Sequence, residues 1–181
     1  MPWWRKGRTG PAGSVAGLVV RPARPEDGEG IAAMAQALGR SDSGRASDFT
    51  AERFREDGFG ENRAFETLVA ESGDGLLGYA LYYPGYDTDS ASRGIYLADL
   101  YVREEFRRRG VGRALVRGLA AHGRSRGARW MFWSVRRRNR RARRFYRALA
   151  PELREVLLCA AFGPRFQRLA DAGSELVRRP D

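Results

Sequence analysis

Three residue types are nearly missing from this chain of 181 residues: one cysteine (Cys159), one histidine (His122), and one lysine (Lys6) among 33 Lys and Arg. A single thiol cannot close an intramolecular disulfide. The apolar run 156–162 around Cys159 predicts a reduced, buried side chain and a late strand. One His and one Cys offer no ligand cluster of the usual spacing, so no metal is expected. His122 falls in a helical stretch, where a surface or helix-packing role is expected. No apolar run approaches the roughly 20 residues of a membrane span. The apolar part of residues 1–20 is broken by Gly and Pro, unlike the core of a signal peptide, so a cytoplasmic location without membrane contact is expected.

What is present concentrates in residues 97–119, LADLYVREEFRRRGVGRALVRGL. Leu97, Leu100, Tyr101 and Val102 are strand formers, and Val111, Ala114, Leu115 and Leu119 recur at helical spacing on one face. Between them lies Arg107-Arg108-Arg109-Gly110-Val111-Gly112, followed by Arg113. Glycines remove the Cβ atoms that would hold a ligand off the backbone, so successive N–H groups can converge on a phosphate at the positive end of the helix. A P-loop would carry Lys and Ser or Thr after its second Gly, where Arg113 and Ala114 stand. A Rossmann turn would need a third Gly at the position of Leu115.

Around this turn, 18–21 reads as a first strand and Pro25 as the first turn of a helix with Ile31, Met34 and Leu38 on its apolar stripe. Residues 41–47 read as a polar loop, and Thr50 as the cap of a short helix. Strands are expected at 65–71 and 76–83, joined by a hairpin turn, and at 130–135, with Asn139 capping a last helix through Ala142, Phe145 and Leu149. The fold class is α/β (α+β), a mixed, mostly antiparallel sheet flanked by helices. Residues 1–17 are expected as a mobile basic tail, 18–170 as a single domain and 171–181 as a second tail.

The order Arg-x-x-Gly-x-Gly, after a strand and opening a helix, resembles the acyl-CoA motif of the GNAT N-acetyltransferases. The resemblance extends colinearly from about residue 18 to about residue 150 and is closest to the diamine (spermidine/spermine-type) branch. It is carried by Leu18-Val-Val-Arg-Pro-Ala23, Glu56-Asp-Gly-Phe-Gly60, Leu68-Val-Ala-Glu71, Gly78-Tyr-Ala-Leu-Tyr-Tyr83, Ile95-Tyr-Leu-Ala-Asp-Leu-Tyr-Val102 and Asn139 before Phe145-Tyr146.

The resemblance implies direct acetyl transfer from acetyl-CoA to a primary amine in a ternary complex, within a homodimer. It implies that Arg107, Arg108, Arg109, Gly110, Val111, Gly112 and Arg113 hold the pyrophosphate. The backbone of Leu100, Tyr101 and Val102 would pair with the pantetheine arm, and Asn139, Arg140, Arg141 and Ala142 would also serve the coenzyme. Tyr146 takes the family position of the tyrosine that protonates the leaving thiolate. Ser41, Asp42, Asp99, Phe132, Trp133 and Ser134 match substrate positions. The chain departs from the family at Ala98, where a Glu usually stands, and Asp99 on a regular strand would face the other side. Arg40 and Arg45 would repel a polycation, which favours a smaller amine, an amino-acid side chain or a protein amine.

The net charge of +11 also admits nucleic acid, with the run 136–144 contacting phosphates beside Trp130, Trp133 and Tyr146. Against it, so complete a preference for Arg suggests compositional bias, and the run falls where the family places a coenzyme-side helix. Coenzyme attraction or solubility is therefore favoured over RNA. A coenzyme-binding module that has lost catalysis, motivated by Ala98, is the other alternative.

Overall fold

The computed structural model describes residues 14–173; residues 1–13 and 174–181, with Trp3, Trp4 and most of both expected tails, lie outside them. In chain order these form β1 (Val19–Pro22), a 3-10 turn (Pro25–Asp27), α1 (Gly28–Ser43), α2 (Ala51–Phe59), β2 (Glu66–Ser72) and β3 (Gly75–Asp87). There follow β4 (Ser92–Val102), a second 3-10 turn (Glu104–Phe106), α3 (Val111–Ser125), β5 (Ala128–Trp133), α4 (Arg140–Arg147) and α5 (Pro164–Gly173). The chain divides after Ser134 into two units.

In the first unit the strands lie in sequence order. The pairs β1–β2, β2–β3 and β3–β4 are antiparallel and β4–β5 is parallel, the crossover between the last two being α3. This is the mixed, mostly antiparallel sheet that the sequence predicts. Period-2 alternation gives the sheet two apolar faces. Ile31, Met34 and Ala35 of α1 and Phe54 of α2 pack on one of them, against Phe65, Val69, Tyr79 and Tyr101. α3 lies against the strands with Val111, Leu115, Val116 and Leu119 buried. Each such side chain contributes about 1.5–3 kcal/mol on burial. Val15, within the stretch expected as a tail, is also buried.

Arg21 ties the first elements together. Its guanidinium donates to both Asp27 oxygens at 2.7 and 3.0 Å and to Glu71 at 2.7 Å, joining β1, the first 3-10 turn and β2. Burial alone would raise the Asp27 pKa. The Arg21 bonds and the Arg24 N–H outweigh it and hold the carboxyl below its ordinary range. A depressed folded-state pKa gives stability that is present above the unfolded value and lost as pH falls through the folded one. Urea midpoints are therefore expected to fall as pH drops below about 4. In Asp27→Asn the fall should be shallower and start from a lower midpoint; parallel pH curves for the two proteins would remove Asp27 from this role.

The second unit differs from the sequence expectation. Among the described residues no strand follows β5, and 156–162 has no regular structure, with Val156, Leu157, Leu158 and Phe162 64–80% exposed. A strand needs a neighbour to complete its hydrogen bonds, and the sheet ends at β5. Cys159, expected buried, is exposed with its run. The unanticipated α5 starts at Pro164, a residue suited to a first helical turn. Within this unit Glu152 receives Arg143 at 2.8 and 2.9 Å and Arg147 at 3.1 and 3.2 Å, and these bonds bring its pKa down to about 2. Part of the basic run is thus engaged inside the chain. A further correction concerns 41–47: α1 continues to Ser43, because Ser41 and Ser43 bond back to the carbonyls of Leu38 and Gly39, and Gly44 at φ 76° ends it.

Candidate active site

The centre of the sheet carries a defect. β3 and β4 pair Leu81 with Asp99 and then Tyr82 with Leu97, so Ala98 is the extra residue of a β-bulge. A bulge shifts the alternation by one. Tyr82 and Leu97 face α3, whereas Leu81, Asp99 and Tyr101 face α1. The alternation expected of a regular strand is broken here, so that Leu97 and Asp99 stand on opposite faces. Asp99 accepts a hydrogen bond from the Tyr79 hydroxyl at 3.3 Å. Burial raises its pKa, the Tyr79 bond opposes the rise, and the charge of Asp42 at the end of α1 adds to it. The Tyr79 phenol is pushed well up, first by burial and then by Asp99. Ala98 itself is exposed.

Beyond the bulge the sheet opens. β4 and β5 pair from Arg93–Ala128 to Leu97–Trp133, with a shift after the first pair that passes over Arg129, and the pairing ends there while β4 runs on to Val102. The β5 side of Leu100, Tyr101 and Val102 is therefore an unpaired sheet edge among the described strands, able to accept an extended amide-bearing ligand as an added strand.

The turn after β4 leads to the start of α3. Arg107 folds back on it: Nε donates to the Val102 carbonyl at 2.8 Å, the guanidinium pairs with Glu104, and its carbon lies 5.3 Å from the Tyr101 ring centroid. Arg108 holds a left-handed backbone at φ 63° and Gly110 another at φ 87°. Gly110 has no side chain to cap the helix, and no acidic residue occupies the first turn. The N–H groups of Val111, Gly112 and Arg113 are left without intrahelical acceptors, at a helix end flanked by the exposed Arg108, Arg109 and Arg113. Arg109 lies 5.6 Å from the Phe106 ring. The donor set and the missing Cβ fit a pyrophosphate.

The remaining predicted residues divide by face and by unit. Tyr96 pairs with Phe132 and donates to Ser134 at 3.2 Å, which puts Phe132 and Ser134 on the Asp99 side; Trp133 pairs with Leu97 and lies on the other. Ser41 and Asp42 occupy the last turn of α1. In the second unit the Asn139 side chain accepts from the Ala142 N–H at 3.0 Å, the cap that the sequence predicts. Arg140 and Arg141 are exposed in the first turn of α4, and Tyr146 is half-buried with its ring 5.2 Å from Phe145. Sequence reasoning singles out neither Tyr79 nor the seating of Trp130, read there only as a ring beside the basic run, on Gly85 and Gly94. The sequence signals neither, because both depend on cross-strand register.

The bulge, the opened edge and the uncapped turn follow one another along β4 and into the start of α3. The profile of the Acetyltransferase (GNAT) family matches residues 31–150. The chain belongs to that family. A thialysine N-epsilon-acetyltransferase of Sus scrofa is 33% identical over 147 residues, covering 75% of this chain and 84% of that protein. The Mus musculus protein of the same name is 31% identical, covering 76% and 86%. Among solved structures, an integron cassette protein from the V. cholerae mobile metagenome superposes with a TM-score of 0.72 at 21% identity, over 84% of this chain and 97% of that one, a likeness of fold. The protein is thus an acetyl-CoA-dependent N-acetyltransferase of GNAT fold, and the branch to which these relatives belong agrees with the diamine-type resemblance of its motifs. No helix among the described residues is long and apolar enough to cross a membrane.

Proposed function

We propose that this GNAT enzyme acetylates the primary amine of a small molecule by direct transfer in a ternary complex. The observation that carries the reading is the separation of β4 from β5 at Leu97–Trp133, next to a helix start with neither cap nor acid. The turn from Arg108 to Arg113 would hold the pyrophosphate by backbone N–H groups and arginine charge. The edge formed by Leu100, Tyr101 and Val102 would pair with the pantetheine amides. Bound acetyl-CoA supplies the acetyl thioester. As the C–N bond forms and the C–S bond breaks, Asp99 takes the proton of the amine, directly or through water, and Tyr146 gives its phenolic proton to the sulfur. A carboxylate raised by burial is a better proton acceptor than an exposed one, which offsets the missing Glu at Ala98. The thialysine acceptor in the relatives' names supports an amine of amino-acid size over a long polyamine. A homodimer, as the resemblance implies, is the proposed assembly.

Free-thiol release from acetyl-CoA with a panel of primary amines tests this. Turnover with at least one is expected, whereas coenzyme binding without turnover on any would favour a degenerate module. Gly110→Ala isolates the turn. Nothing lies within 4 Å of an added Cβ, so its cost is the φ of 87° alone, about 1 kcal/mol. The KM for acetyl-CoA should nevertheless rise about tenfold, because the methyl group takes the place of the phosphate. An unchanged KM would remove the turn from the coenzyme site.

A further inference from the structure

On the sheet face that carries Asp99, the next rows are aromatic. Leu81 and Tyr83 are same-face neighbours on β3, one two-residue step of about 6–7 Å apart, and their partners on β4 are Asp99 and Tyr96, so Asp99 and Tyr96 occupy successive positions of this face. Tyr83 and Tyr96 are stacked at 5.0 Å with planes 16° apart, and Phe132 continues the row on β5. Trp130, in the following row, lies 4.9 Å from Phe132. Its indole spreads over two cross-strand glycines, Gly85 and Gly94, where any side chain would collide with it. The indole N–H donates to the Ser92 carbonyl at 3.3 Å, and the Tyr96 hydroxyl donates to Ser134. The rings are held before any ligand arrives, yet Tyr83 and Phe132 remain 40% and 51% exposed.

We propose that this four-ring floor binds the non-reacting part of the acceptor, and that the acceptor is an arylalkylamine: one ammonium group at Asp99, joined by a short spacer to a flat ring lying on Tyr83, Tyr96, Phe132 and Trp130. The proposal rests on the N-acetyltransferase reading above and names its substrate class. Charge complementarity selects this occupant. Asp99 supplies negative charge at one end, and the charge of Asp42 adds to it. The other carboxylate of this face, Asp87, stands three two-residue steps along β3, about 20 Å away, and its Oδ2 accepts both the N–H and the hydroxyl of Ser90. A short diamine cannot span that distance, so its second ammonium would have only cation–π attraction of about 0.5–2 kcal/mol from the rings and no carboxylate to pair with, whereas an uncharged aromatic ring gains offset or edge contacts of about 0.5–1.5 kcal/mol with each of several rings and gives up no ammonium hydration. The transfer is unchanged: the C–N bond forms as the C–S bond breaks, with the protons moving as above.

The test compares kcat/KM for phenethylamine, tryptamine, putrescine and butylamine by thiol release. The arylalkylamines should exceed butylamine and putrescine by about tenfold or more, and Phe132→Ala should lower the phenethylamine-to-butylamine ratio several-fold. Phe132→Leu, which keeps an apolar side chain and removes only the ring, should lower the ratio in the same direction and guards against a folding defect. Putrescine or butylamine turned over as well as phenethylamine, or a ratio unmoved in both variants, overturns the floor while leaving the acetyltransferase reading intact. No thiol release with any amine overturns both.

Discussion

Tyr146→Phe is expected to lower kcat by about 10²–10³, within the range of about 10²–10⁴ for a positioned general acid, with the KM for acetyl-CoA and the thermal midpoint nearly unchanged. The substitution keeps the ring that packs 5.2 Å from Phe145 at 62° and removes only the hydroxyl. The helix that presents it has independent anchors: the Asn139 side chain on the Ala142 N–H, and Arg143 and Arg147 on Glu152. A structural role for the hydroxyl would appear as a lower midpoint with kcat and KM moving together. A proton-donor role appears in kcat alone. The decisive comparison is the loss measured with acetyl-CoA against an acetyl thioester of a less basic thiol. A leaving thiolate that needs no proton should recover most of the rate, and equal losses with both would assign Tyr146 elsewhere.

Local signals proved legible where the chain itself supplies the physics. The Asn139 and Thr50 caps, the β2–β3 hairpin and the strand-turn-helix unit around Gly110 all follow from residues within a few positions of one another, and each lies where the sequence puts it. The run 156–162, the bulge at Ala98 and the seat of Trp130 share one cause for being missed, dependence on a distant partner. Residues 156–162 read as a strand by composition, but nothing in their own sequence says whether a neighbour completes the ladder. Alternation at Ala98 and Asp99 assumes a regular strand, and the bulge at Ala98 is visible only once β3 is laid beside β4. The pairing of Gly85 with Gly94 under Trp130 joins positions 9 and 36 residues apart along the chain, a relation that only register creates.

That last relation predicts the largest stability effect in the sheet. Gly94→Ala should destabilise the protein by about 3 kcal/mol, a fall in thermal midpoint of about 6–12 °C for a chain of this size. The added Cβ would lie 1.9 Å from Trp130 Cδ2 and 2.1 Å from Cε2, distances that no rotamer change at an alanine can relieve. The indole cannot move without losing its N–H bond to Ser92 and its contact with Phe132. In a Trp130→Ala background the same Gly94→Ala change should cost less than about 1 kcal/mol, since the ring that forbids the methyl group is gone, giving a coupling of about 2 kcal/mol or more. Equal costs in both backgrounds would show that some other property of Gly94 holds it. A large coupling would establish that the strand gives up side chains at two positions to seat one indole flat. The single variant Trp130→Ala then connects the packing to specificity, because it removes the anchored ring of the proposed floor and should diminish the preference for arylalkylamines.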